Sequence, residues 1–474
     1  MNRSPDYDAV VVGSGPNGLT AAIVLQKAGL SVLLIEGKET LGGGARTAEL
    51  TLPGFHHDIC SAIHPLAATS PVFQKMPLEE YGLEWIEPPI ALAHPFDDGT
   101  AAILEKSLEK TAKNLGADRE NYENIFQPIV KNWENLARNI LAPFHFPRNP
   151  LLLARFGIHG LRSAVGFAKK AFRTEETRAL FAGLAAHSLL PLNKSATAAF
   201  GLVLGALGHI NGWPFPKGGA QKITDALAGY FRSLGGKIET GRPISDLREL
   251  PTSRLTLLDI TPKQLLEIAG DQLSSRYRRQ LSNYRYGPGA FKIDWALSEP
   301  VPFSSPDCRR AATLHLGGSL AEIAASESAP ERGILSDRPF VLFVQPSLFD
   351  PTRAPEGKQT AWAYCHVPHG STADRTEIIE KQIERFAPGF RDTILARHTM
   401  HSMELQEHNP NLVGGDINGG AQSIDQLFTR PVVRLNPYAT SLPNVFLCSS
   451  STPPGGGVHG ICGYHAAKRA LKKL

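Results

Sequence analysis

The sequence predicts an α/β fold built on a parallel, doubly wound sheet, and three observations carry that prediction. Residues 9–12 form a continuous apolar run, as a central parallel strand buried on both faces requires. The run feeds straight into Gly13-Ser14-Gly15-Pro16-Asn17-Gly18, after which Leu19, Ala22 and Ile23 recur at helical spacing until Gly29 punctuates the end. A second apolar stretch, residues 32–35, then ends on Glu36, 18 positions beyond Gly18. Strand, glycine turn, helix, strand and acid in that order describe a Rossmann-like, dinucleotide-binding unit.

Each part of the turn has a physical task. Gly13 permits the tight bend, Gly15 lets the backbone approach a pyrophosphate, and Gly18 lets the helix pack close to the strand. Ser14, Pro16 and Asn17 complete the loop, whose helix presents free N–H groups and a partial positive charge to phosphates. Glu36 stands where an acceptor for ribose hydroxyls is expected. The segment after Glu36 departs from a plain nicotinamide domain. Gly42-Gly43-Gly44-Ala45-Arg46 makes a second small-residue loop ending in a cation, on the carboxyl side of the second strand. Gly43, Gly44, Ala45 and Arg46 are therefore placed to extend the hold on a long cofactor toward its ring system. Near the C-terminus Gly455, Gly457 and Gly460 repeat the G-x-G-x-x-G spacing with no second strand after them. They read either as a cap on a terminal helix or as a second contact to the cofactor held by the first loop.

The totals fit a globular chain. With 474 residues, and roughly 150 per domain, two or three domains are expected. A hydrophobic fraction of 42% and a charged fraction of 20% are ordinary, and a net charge of +4 gives no reason to expect nucleic acid as partner. Five cysteines without a C-x-x-C pair suit a reduced, cytoplasmic protein. The first strand begins too early to leave room for a signal peptide. No apolar run reaches transmembrane length, and the nearest approach, SATAAFGLVLGALGHI, reads as a buried helix.

The motifs VVGSGPNGLTAA, LIE, LGGGART and GFHHD at one end, and PPGGGVHG at the other, resemble the phytoene desaturase-like flavoproteins of the amine oxidase/phytoene dehydrogenase superfamily. The likeness covers most of the chain, including YGPGAFKIDWAL and GGDINGG. It implies FAD as the cofactor and a discontinuous FAD-binding domain, a βαβ unit joined by a C-terminal strand and helix. That domain would take 1–75, 215–260 and 411–474. A second, α+β substrate domain would take 76–214 and 261–410. By the same likeness residues 445–448 form the returning strand, 449–457 the loop, and Val458 begins the helix. Ser450, Gly456, Gly457 and Val458 would contact FAD, as would the strand carrying Ile244, at the adenine. Asp58, the acid of GFHHD, would order the loops beside the flavin.

The remaining chemistry is sparser. Residues 147–173 carry six Lys/Arg and no acid, with Leu, Phe and Val at helical spacing. They read as a basic amphipathic helix lying on a membrane surface, or as a solvated face covering the pocket. Lys292, Asp294 and Trp295 read as pocket residues or as ordinary sheet residues, with the second preferred. The 16 histidines include no metal-binding spacing, and no nucleophile elbow is present. His459, Tyr464 and His465 follow the last glycine loop and are the candidate acid–base groups. The expected activity is removal of a hydride and a proton from an apolar, isoprenoid or lipid-like substrate, with oxygen or a quinone as acceptor. A polyene isomerase, a nicotinamide-dependent dehydrogenase and a non-catalytic FAD-binding protein are the alternatives. Oligomeric state is not legible.

Overall fold

Five short strands assemble into one parallel sheet although more than four hundred residues separate the first from the last. The computed structural model describes residues 5–474. Across the sheet the order is Val445–Leu447, Ser253–Leu258, Tyr7–Val12, Val32–Ile35 and Lys237–Glu239, every pair parallel. One row of partners, Leu447, Leu258, Val12, Ile35 and Glu239, crosses it near the carboxyl ends. The segments that leave those ends therefore start side by side. This is where open parallel sheets place their ligands.

Helices cover both faces, because strands apolar on both sides have no face to leave in water. On one side lie Pro16–Lys27, Gln221–Ser233 and Ile461–Ala470. Gln221–Ser233 shows why it packs there: Ile223, Ala226, Leu227, Tyr230 and Phe231 are buried, while Lys222, Asp225 and Arg232 face water. On the other side lie Pro262–Ala269 and Ser275–Ser282, held through Leu265, Ala269, Tyr277 and Leu281. These two helices were expected in the substrate domain, beginning at 261. They pack on the parallel sheet instead, because their apolar faces meet Val10, Leu33 and Leu447.

A second sheet of seven strands runs in the order Ile394–Met400, Gly289–Leu297, Gln359–Val367, Val341–Val344, Thr313–Leu316, Leu92–Pro95 and Ala101–Leu104. Its pairs are antiparallel except the one between Thr313–Leu316 and Leu92–Pro95. One face builds a core from Phe291, Ile293, Trp295 and Leu297 against Ile379, Ile383, Phe386 and Phe390. A helical layer, including Arg119–Lys131, Ala164–Ala171, Glu175–Ala186 and Thr197–Asn211, forms a third core. The last of these is the buried helix expected from SATAAFGLVLGALGHI. Among the described residues no helix is long and apolar enough to cross a membrane.

Three expectations are corrected here. Residues 147–173 form two helices, Pro150–Gly160 and Ala164–Ala171; Ser163 starts the second by accepting the Gly166 N–H at 3.1 Å, which breaks the run. Ile244 is not on a strand, since Lys237–Glu239 ends earlier and a turn comes after it. The C-terminal helix begins at Ile461, not Val458, because Gly460 adopts a left-handed conformation with φ +69° immediately before it.

Asp58 knits these layers together. Its Oδ1 accepts from Thr47 Oγ1 and the Ala220 N–H, both at 2.7 Å, and its Oδ2 from Arg353 Nη2 at 2.8 Å. Arg353 is itself buried, so removing the carboxylate strands a charge away from water. Asp58→Ala is expected to lose roughly 3–5 kcal/mol in denaturant unfolding, the scale for breaking a buried pair. A loss under about 1 kcal/mol would put the pair among weak surface bridges.

Candidate functional site

The loops at the sheet's carboxyl edge open onto a cavity of about 1930 Å³. Pockets for one drug-sized ligand reach about 1,000 Å³, so a dinucleotide and a second molecule can share it. One end is walled by the first glycine loop from Gly13 to Asn17, by Glu36, and by the second loop from Gly43 to Arg46. Ile244 also lies on this wall, beside Arg242 and Pro243, and the last loop contributes Ser450, Gly456, Gly457 and Val458. Gly18 is set back from the wall: a Cβ there would lie 2.0 Å from the Gly13 carbonyl oxygen, so it serves close packing of helix on strand.

The two N-terminal loops touch. A Cβ on Gly43, which has φ +56°, would stand 3.0 Å from Gly15 Cα, and the Gly42 N–H donates to Ser14 Oγ at 3.1 Å. Glu36 is the post between them. Its Oε2 accepts the Ser14 N–H at 2.9 Å, its Oε1 accepts the Lys38 N–H at 2.9 Å, and Arg46 Nη2 stands 3.6 Å from Oε1. Arg46 also donates to the carbonyls of Thr40 and Leu41. Its cation is therefore spent partly on fixing Glu36 and the loop.

The donor set fits FAD. Asn17 Oδ1, Asn411 Oδ1 and Asn418 Nδ2 are buried on the wall with no protein partner, as groups awaiting a polar ligand would be. The glycine turn offers the backbone approach that a pyrophosphate needs, and Glu36 offers carboxylate oxygens to ribose. Asn418 belongs to the GGDINGG motif, which gave no clue to this position from spacing alone. Asp259 was missed altogether. It follows the strand Ser253–Leu258, accepts the Gly18 N–H at 2.9 Å and lies on the wall.

The opposite wall is the inner face of the seven-stranded sheet. Strand register sets His315, Leu342, Tyr364 and Lys292 in one row and Thr313, Val344, Trp362 and Asp294 in the next. Of these, Leu342, Val344, Trp362, Tyr364, Thr313 and Lys292 line the cavity. Lys292 is thus a wall residue, correcting the preferred reading of it as an ordinary sheet position, whereas Trp295 points to the other face and is core. Lys292 forms an ion pair with Asp294 and lies 5.7 Å from the centre of the Trp362 ring. Burial opposes ionisation of Asp294, but Lys292, a hydrogen bond from His398 and the nearby His57 together outweigh it and hold the carboxyl below its usual range. His57 stands 3.7 Å from the same carboxylate, yet burial pushes its imidazole down to about 4, so it stays neutral.

None of the three proposed acid–base groups reaches the cavity wall. His459 is buried, and its Nδ1 accepts the Ile461 N–H at 3.0 Å, capping the last helix; burial pushes it down to about 4. Tyr464 lies under Lys468, 5.8 Å from its Nζ, and His465 stacks with Tyr438 at 6.4 Å. Both are one helical turn into Ile461–Ala470, Tyr464 against the core of the parallel sheet and His465 bonded to the backbone of Leu141.

Comparison with known proteins agrees with this geometry. A model of the NAD(P)-binding Rossmann-like domain matches residues 11–76. The chain is 26% identical to pyridine nucleotide-disulfide oxidoreductase domain-containing protein 2 of Rattus norvegicus, over 99% of this chain and 94% of that one. It is 26% identical to phytoene desaturase of Fusarium fujikuroi over 76% and 66% of the two chains. Its fold matches cyclohexylamine oxidase from Brevibacterium oxydans with a TM-score of 0.62, at 15% identity, over 99% and 100%.

Asp259 makes a test of this site. Burial, with Glu36 nearby, pushes its carboxyl up to about 7, against about 3.9 in an unfolded chain. Between those pH values folding takes up a proton, so stability is greatest below the unfolded value. It then falls as pH rises, by at most about 1.4 kcal/mol per pH unit. Thermal melts of the cofactor-free protein should lose stability from about pH 5 to pH 7, and Asp259→Asn should flatten that slope. Identical slopes in both proteins would count against a buried, uncompensated Asp259.

Proposed function

We propose that this chain, a member of the amine oxidase/phytoene desaturase superfamily of FAD-dependent oxidoreductases, dehydrogenates an apolar, isoprenoid- or lipid-like molecule. A hydride leaves one carbon and a proton leaves the adjacent carbon or nitrogen, so that a C–C or C–N single bond becomes double, and oxygen or a quinone serves as final acceptor of the two electrons. The observation that carries this reading is the continuous cavity joining the three loops to an apolar wall of Leu342, Val344, Trp362 and Tyr364. Bound at the loops, FAD supplies a two-electron acceptor for the hydride.

The chain's own residues do the rest. The glycine loop, Glu36 and Arg46 bind and orient the dinucleotide. The aromatic and aliphatic wall holds the substrate by burial and excludes water, which strengthens every polar interaction within the site. Lys292, paired with Asp294, holds a hydrogen-bond donor at Nζ on that wall and can fix a water molecule where the proton departs. Few charges line the substrate side, which favours neutral, lipophilic molecules over acids.

An absorption spectrum tests the cofactor part. Purified protein should show bands near roughly 370 and 450 nm and release FAD on heating. Gly43→Val, which drives a side chain into Gly15, should retain at most about one tenth of the flavin at unchanged secondary structure. A colourless wild type unable to take up FAD would sink the proposal. Anaerobic bleaching by lipophilic polyenes, reversed on admitting oxygen or a quinone, is the expected sign of dehydrogenation. Double-bond rearrangement without acceptor consumption would replace it with isomerisation.

A further inference from the structure

The mouth of the cavity is bordered by exposed apolar side chains. Phe144 and Phe146 are each 88% exposed, and Leu151, Ile158 and Leu161 are more than half exposed. Phe144, Phe146, Ile158 and Leu161 also line the cavity, so the exposed apolar surface continues into its interior. Leu427 and the exposed Phe428 line the same cavity. Monomeric soluble proteins seldom leave so contiguous a patch to water unless something docks on it.

The helix Pro150–Gly160 says what kind of surface that is. Its inward residues, Leu152, Leu153 and Phe156, pack against the helical core. Leu151, Arg155 and Ile158 are spaced four and three apart and share the outward face, with Leu161 continuing it. One exposed stripe thus sets the Arg155 cation among apolar side chains. Arg148, Lys169, Lys170 and Arg173 add four exposed cations nearby in the chain, and no acid occurs between 147 and 173. Among the described residues none of Arg148, Arg155, Lys169, Lys170 and Arg173 forms an ion pair. Uncompensated cations around an apolar patch complement a layer that is anionic at its surface and hydrocarbon beneath it. A protein partner would be expected to offer shape to a groove; here the apolar residues project outward from a helix and the loop before it.

We propose that this face seats the protein on an anionic lipid bilayer, with the apolar side chains entering the headgroup boundary and the cations at lipid phosphates. The cavity mouth then opens into the hydrocarbon layer, and a lipophilic molecule enters without crossing water. Docking itself is independent of the proposed chemistry; only the identity of what passes through the mouth rests on that reading.

Co-sedimentation tests the proposal, using the flavin-loaded protein with vesicles of phosphatidylcholine alone or mixed with phosphatidylglycerol. Wild type should pellet with the mixed vesicles at least tenfold more tightly than with the neutral ones, and added salt should weaken it. Phe144→Ser/Phe146→Ser and Arg148→Glu/Arg155→Glu should each weaken binding at least tenfold. All four positions are exposed, so melting temperature and flavin content should match wild type. No binding to mixed vesicles, equal binding to both kinds, or variants that bind as wild type would overturn the proposal. So would a concentration-dependent dimer in sedimentation velocity that Phe144→Ser/Phe146→Ser abolishes, which would assign the face to a second copy. Bleaching measured on the same samples keeps failure of docking distinct from failure of the proposed chemistry.

Discussion

The structure depends on one close approach between backbones. At Gly463 the C-terminal helix comes so near the dinucleotide helix that a Cβ would stand 1.9 Å from the Asn17 carbonyl oxygen and 3.1 Å from the Ala21 nitrogen. No side chain fits there, so the two helices meet main chain to main chain. This contact locks the last glycine loop, which immediately precedes Gly463, against the first. The strand Val445–Leu447 closes the other side of the same junction by pairing with Ser253–Leu258. Without that approach the wall from Ser450 to Val458 would have nothing to hold it opposite Gly13 to Asn17.

Around this junction the protein treats its buried carboxylates in two ways. Asp58 and Asp294 each have a buried cation, Arg353 and Lys292, and with them tie or line the walls. Asp259 has only backbone N–H and lies next to a second acid, Glu36. The paired carboxylates hold position through charge, which is costly to break. The unpaired one sits at a helix N-terminus, where a partial positive charge offsets part of its burial. Fixed charge supports the substrate wall, and a proton-sensitive group stands at the nucleotide end.

The dinucleotide end was legible because its signals are local. A strand, a glycine turn, a helix and an acid occupy one stretch of chain, and their geometry follows from spacing alone. The second loop was legible for the same reason. What failed depended on long-range placement. Lys292 sits in a strand buried on both faces, where alternation cannot say which face meets a cavity; only the pairing with Tyr364 and Met400 does. His459, Tyr464 and His465 lie close in sequence to the cofactor loop, but His459 is spent on the backbone of that loop and of the last helix, and the other two lie beyond Gly460 on the helix itself. Asp259 carried a clue in LLDITP, an apolar strand ending on an acid, as the second strand ends on Glu36. Residues 147–173 had the composition of one amphipathic helix; Ser163, a good N-cap, was the sign of two.

The order of strands in the parallel sheet also bears on biosynthesis. The first two strands are made more than two hundred residues before Ser253–Leu258 and more than four hundred before its edge partner Val445–Leu447. Until then Ser253–Leu258 presents an unpaired edge, and the apolar side of Pro16–Lys27 that meets Ile461–Ala470 stays uncovered. A growing polypeptide must therefore protect this half-built layer while several hundred intervening residues fold. The wall from Ser450 to Val458 can take its place opposite the first glycine loop only once that strand and helix have docked.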